Sequence, residues 1–214
     1  MPRRLTRKEK QARTRKCLMS SAAKVFARRG MEQASIDEVA EDAGYTKGAF
    51  YANFKSKEEL FLAMLDERFA ERLEQCDRVM ASGGSPVEQA RQIGLDFMRY
   101  VAADPEWERL FFEFAAYAAR NDEFRQELVT RYQSLRERIA DSYRRRAEEL
   151  GVEPPIPVED LATMTFAMAN GVALEKLLEP DAVPEDLYAT MLSLFFTGLG
   201  DLAAERGEGS RAPA

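Results

Sequence analysis

Histidine is absent from the 214 residues, and cysteine occurs only twice, as Cys17 and Cys76. The first absence removes the side chain most often used as a general base near neutral pH and a principal nitrogen ligand of zinc. Two isolated thiols make no disulfide framework and fit a chain kept reduced. A glycine-rich phosphate loop and a nucleophile elbow are also missing. The sequence therefore predicts no catalytic residues, no metal site and no cofactor. No stretch reads as the ~20 apolar residues needed to span a bilayer, and the first residues are charged rather than signal-like. The expectation is a cytoplasmic chain with no membrane partner.

Charge is present in quantity but unevenly placed. Up to Gly30 there are eleven lysines and arginines against Glu9 alone, although the whole chain carries a net −6. The remaining residues hold twenty cations against thirty-six anions, a net −16. A basic end on an acidic body points to a polyanion held at one end. A merely solvated basic tail is the bland alternative.

Strand alternation is also lacking, and apolar residues recur at helical spacing almost throughout. The spacing predicts about nine helices and an all-α fold: a three-helix head followed by a larger helical body. A first helix runs from about Arg7 to Arg29 and stops at Gly30. Ser35-Ile36-Asp37-Glu38, Ser56-Lys57-Glu58-Glu59 and Ser85-Pro86-Val87-Glu88 are capping boxes that open helices. The second of these helices reaches about Met80. Later helices are expected over roughly 106–120, 122–150, 158–178 and 184–206, with a proline-rich break from Gly151 to Pro157. The expected organisation is a head over residues 1–55, a body over 56–206 and a disordered tail over 207–214.

Ser35 to Phe54 holds the most informative spacing. Ala40 is small where two helices must approach, and Gly44 falls in the turn, where a left-handed backbone suits glycine. Val39 and Phe50 can pack beneath the crossing. Thr46 then caps a short helix over about Lys47–Ala52. This is helix-turn-helix spacing, two helices crossing through a turn of three or four residues. An ordinary helical hairpin could carry the same spacing.

The residues go further than the spacing. Thr14-Arg15, Ala22-Ala23, Phe26, Gly30, Ser35-Ile36, Val39-Ala40, Ala43-Gly44 and Thr46-Lys47-Gly48-Ala49-Phe50-Tyr51, with Phe54, Ser56-Lys57-Glu58 and Leu60, resemble the TetR-family DNA-binding domain. The resemblance covers roughly the first third of the chain. Ala52-Asn53 departs from it, since the family often carries bulkier aromatic or histidine residues there. In helix-turn-helix proteins the second helix enters the major groove, with its first residues at base edges. Lys47 is then the candidate for guanine acceptors. Gly48 allows close backbone approach, and Ala49 offers a methyl to thymine. Tyr45 can reach a base or a phosphate. Thr46, Tyr51 and Lys57 are read as phosphate clamps, as the resemblance also implies, with a core tyrosine the alternative for Tyr51. Ser35 heads a helix whose free amides form an anion site. Arg3, Arg4 and Arg7 suit a minor-groove arm or a loose tail.

For the body, the resemblance implies a homodimer through the last two helices. Met164, Leu174, Met191, Phe195 and Leu199 are the interface candidates. A dimer also suits a palindromic operator in double-stranded DNA. Aromatic residues at helical spacing in the middle of the chain are more often core than pocket. The resemblance nevertheless implies a cavity there for a small-molecule inducer, with Phe97, Trp107, Phe111, Phe114, Tyr132 and Met168 as lining candidates. The expected function is a transcriptional regulator, a repressor released by an apolar ligand. A helical small-molecule or lipid carrier without DNA-directed function is the alternative.

Overall fold

Helix boundaries follow from the capping chemistry. The computed structural model describes residues 6–209, and within them it contains nine helices and no strand. These are α1 (Arg7–Arg29), α2 (Ile36–Asp42), α3 (Lys47–Tyr51), α4 (Lys57–Ala81), α5 (Pro86–Ala103), α6 (Pro105–Ala118), α7 (Asp122–Leu150), α8 (Val158–Leu178) and α9 (Leu187–Gly209). Ser35 and Ser85 both close reciprocal capping boxes, with Glu38 and Glu88. Thr6 and Glu9 form another, at the head of α1. Gly30 ends α1 with φ +73°.

Two boundaries differ from expectation. α9 begins at Leu187 rather than Pro184, because Pro184 to Leu187 close a turn first. It also continues to Gly209, three residues into the expected tail. Neither Gly207 nor Glu208 is a strong stop, since a helical glycine costs only ~1 kcal/mol. Residues 210–214, and Arg3 and Arg4 of the expected arm, lie outside the described residues. Arg7 is the first residue of α1.

The chain divides into two compact units. One runs to Ala70 and takes in Arg109–Leu128; the other holds Glu71–Glu108 and the residues from Val129 onward. The first unit thus reaches past the expected boundary at residue 55. The three helices of the head enclose little core by themselves, and the first turns of α4, most of α6 and the start of α7 complete it. Phe26, Phe50, Phe54, Phe61 and Phe114 are all buried there. The Phe114 ring stacks on Phe61 and meets Phe26 and Phe124 with centroids 5.9 Å and 5.8 Å away.

The second unit is built around close packing of α5 on α9. A Cβ on Gly94 would lie 2.4 Å from the Cα of Ala189, so only glycine lets these backbones approach so closely. Ala90, Met98, Val172, Val183, Tyr188 and Leu192 form the adjoining core. Tyr143 donates its hydroxyl to Thr165 Oγ1 at 3.1 Å, and Tyr188 donates to the Thr165 carbonyl at 2.9 Å. Burial pushes the Tyr143 hydroxyl up to about 12 and raises that of Tyr188 further.

From Leu187 to Arg206, α9 is long and apolar enough to cross a membrane by length and composition, contrary to the expectation of no such run. Only 17% of its most apolar window is buried within the protomer. Met164, Leu174 and Leu178 on α8, and Leu194 and Leu202 on α9, stand exposed.

Candidate nucleic-acid interface

Two short helices and their turn present the candidate surface. Gly44 takes φ +73° with nothing within 4 Å of where a Cβ would sit, so the backbone angle alone calls for glycine. The turn closes through Gly44 N–H to Glu41 O at 2.9 Å and Tyr45 N–H to Ala40 O at 2.8 Å. Val39, Ala40 and Phe50 are buried at the crossing. Phe50 is the one buried residue of α3.

The rest of α3 faces outward. Thr46, Lys47 and Gly48 are exposed, Tyr45 and Ala49 half-buried, and Tyr51 is 50% exposed. Thr46 caps the helix by accepting from Ala49 N–H at 3.2 Å, which leaves its own O–H able to donate. Tyr51 rests edge-on against Phe50, with centroids 5.7 Å apart. A Cβ on Gly48 would meet only Thr46 Oγ1, at 3.7 Å, so nothing inside the chain demands glycine there. The structure therefore brings Tyr45, Thr46, Lys47, Gly48, Ala49 and Tyr51 together on one short segment.

Two expected residues do something else. Lys57 donates to the carbonyls of Met31, Glu32 and Ala34 at 2.6, 3.0 and 3.0 Å. An ammonium has three protons, so Lys57 ties down the α1–α2 loop and is not a phosphate clamp in this structure. Ser35 heads α2, where Glu38 engages its side chain and its own N–H in the capping box. The Glu38 carboxylate accepts from Ser35 N–H at 3.0 Å and from the Ser35 hydroxyl at 3.2 Å. Those bonds hold the Glu38 carboxyl below its ordinary range, so this helix end carries a fixed negative charge.

Sequence reasoning missed three contributors. Asp37 pairs with Lys47 at 2.8 Å across the turn, and that bond raises the Lys47 ammonium above its usual range. Their spacing of ten residues matches no helical signal. Glu113 accepts from Met31 N–H at 2.6 Å, and a Cβ on Gly30 would approach its Oε1 to 2.9 Å. Arg15 reaches Asn53 at the far end of α3. Only the Thr14-Arg15 pair in the resemblance pointed to that residue, and it implied no role. Among the described residues, no group of three histidine, cysteine, aspartate or glutamate side chains could hold a metal ion.

The inducer candidates do not share one unit. Phe111 and Phe114 belong to the first, and Phe97, Trp107, Tyr132 and Met168 to the second. Phe114, with no exposed surface, is core of the first unit rather than a cavity wall. Phe97, Tyr132 and Met168 are half-buried. Phe97 packs on Tyr188 at 5.0 Å, and Tyr132 packs edge-on to Phe166 at 5.1 Å. Of the interface candidates, Met164 and Leu174 are exposed, while Met191, Phe195 and Leu199 pack partly against cores of their own protomer.

A short outward-facing helix, set across a glycine turn in a cation-rich head, defines a helix-turn-helix DNA-binding protein. The description "Bacterial regulatory proteins, tetR family" matches residues 18–64, and "BetI-type transcriptional repressor, C-terminal" matches 86–199. The HTH-type transcriptional regulator YfiR of Bacillus subtilis is 27% identical over 161 residues, 72% of this chain and 76% of that one. The regulator TtgR of Pseudomonas putida is 26% identical over 205 residues, 90% of this chain and 92% of its own. The fatty acid degradation regulator FadR of Bacillus halodurans superposes with TM-score 0.72 at 15% identity, over 85% of this chain and 93% of that one. The chain belongs to the TetR family of bacterial regulatory proteins. It is a DNA-binding transcriptional regulator, not a helical carrier.

Proposed function

We propose that this regulator is a homodimeric repressor that holds a palindromic operator and leaves it when an apolar small molecule binds the body. The exposed apolar stripe of α8 and α9 carries the dimer. Met164, Ala167, Gly171, Leu174 and Leu178 are all exposed and follow one another at alternating steps of three and four residues. That spacing makes the narrow seam of a helix packed on a partner helix. Leu194, 69% exposed, is the matching residue on α9. Two identical heads then meet two inverted half-sites about one helical turn apart. On each head, Lys47, Gly48 and Ala49 face base edges, while Tyr45, Thr46 and Tyr51 supply hydroxyls to phosphates. Lys47 exchanges Asp37 for its DNA partner.

Leu194→Glu tests the dimer. It places a charge on a surface that is solvated in the monomer and dry in the dimer. The variant should stay folded, sediment as a monomer and lose operator binding. A dimeric variant with wild-type affinity would contradict the interface.

The BetI-type match over residues 86–199 supports repression. Phe97, Tyr132 and Met168, half-buried in the second unit, are the residues proposed to line the ligand site; burial pushes the Tyr132 hydroxyl up to about 12. A coupling of about 1–3 kcal/mol would weaken DNA binding roughly 5–150-fold, and DNA must weaken ligand binding by the same factor. Calorimetry on an apolar compound found by thermal-shift screening, with and without operator, reads this factor. Equal affinity in both titrations would mean that the compound does not regulate.

A further inference from the structure

Arg15 stands apart from its fellow cations on α1. Arg28 and Arg29 pair with Asp42 and Glu38 while their own side chains remain mostly exposed. Arg15 instead turns inward. Its Nη1 donates to the Asn53 carbonyl at 3.1 Å, and its guanidinium lies 4.2 Å from the centre of the Phe54 ring. Asn53 in turn donates its Nδ2 to the Ala49 carbonyl at 2.8 Å, tying off the end of α3. Its Oδ1 is buried with no hydrogen-bond partner. Phe54, buried under the guanidinium, packs on Phe50 with centroids 5.8 Å apart.

α3 has five residues, too few to hold its own shape in water. Its direction must come from what grips its two ends. Thr46 grips the first; the guanidinium, Asn53 and Phe54 grip the last. Phe50, the buried residue of α3, links this grip to the helix itself. The buried Asn53 Oδ1 is a cost to the free protein, tolerated where the same side chain secures the helix end.

We propose that Arg15 is a positioning residue for DNA reading: it sets the angle of the recognition helix from behind, and so governs sequence discrimination without touching DNA. The inference rests on α3 being the base-reading helix. A planar, delocalised cation is needed, because one N–H must reach the carbonyl while the plane lies over the ring. Lysine supplies the charge and not the plane.

The test uses the full-length protein, a duplex selected by the wild type from a randomised pool, its single-base-pair variants and an unrelated duplex. Affinities are measured across salt for wild type, Arg15→Met and Arg15→Lys. A wrong base pair ordinarily costs roughly 5–150-fold in affinity. Arg15→Met should lower that ratio by about tenfold where it is large, leaving the salt slope and the affinity for unrelated DNA nearly unchanged. Arg15→Lys should recover little of the ratio, and it carries the test if Arg15→Met does not fold. An equal weakening on every duplex, with a slope shallower by about 0.9, would make Arg15 a phosphate contact and overturn the proposal. An unchanged ratio would overturn it too. A wild type that selects no duplex would remove the assignment of α3 instead.

Discussion

At Gly48 the protein's own packing gives no reason for a missing side chain, since a Cβ there would make only an ordinary contact with Thr46. Alanine in a helix is favoured over glycine by up to about 1 kcal/mol. Gly48→Ala should therefore raise the stability of the free protein slightly and still weaken operator binding, by roughly tenfold, the order of one wrong base contact. Thermal unfolding and a DNA titration on the same sample read both signs. Stability gained with affinity untouched would show that no base edge approaches this position. Gly44 was legible from sequence because its role is local, a left-handed turn. Lys57 was not. Lys57 is claimed by three loop carbonyls, 23 to 26 residues earlier in the chain, a reach that no local pattern announces.

The elements were more legible than the residues, because helix ends are written in local chemistry. Ser35-Glu38 and Ser85-Glu88 closed as expected, and α7 and α8 match their expected spans. The box at Thr6-Glu9 carries the same signature and went unread. What periodicity could not supply is which helices share a core. The first unit recruits Arg109–Leu128 from a distant part of the chain, through aromatic contacts such as Phe26 with Phe114. Nor does a lone glycine in a helical pattern reveal what lies against it. Gly94 faces the backbone of Ala189 and Tyr188, with no flexible side chain to yield. Gly94→Ala should destabilise the protein by about 3 kcal/mol, the upper range of overpacking. Chemical denaturation measures it, and a loss below about 1 kcal/mol would mean that α5 and α9 do not pack this closely.

Across the whole molecule, function depends on an asymmetry that net charge hides. Eleven cations crowd the first thirty residues of a chain that is acidic overall. Lys47 follows on α3, half of its side chain exposed. An acidic protein binds a polyanion only where its positive charge is gathered. Phosphate neutralisation releases counterions, so the logarithm of affinity falls by about 0.9 per contact with the logarithm of salt concentration. The most direct measurement is the affinity of the wild-type protein for a selected duplex and for an unrelated one, from 50 to 200 mM salt. If six or more phosphates are met, both affinities fall ~10³-fold or more across that range, and the selected duplex stays ahead throughout. Binding that ignores salt, or that does not distinguish the two duplexes, would contradict sequence-specific DNA reading by this head.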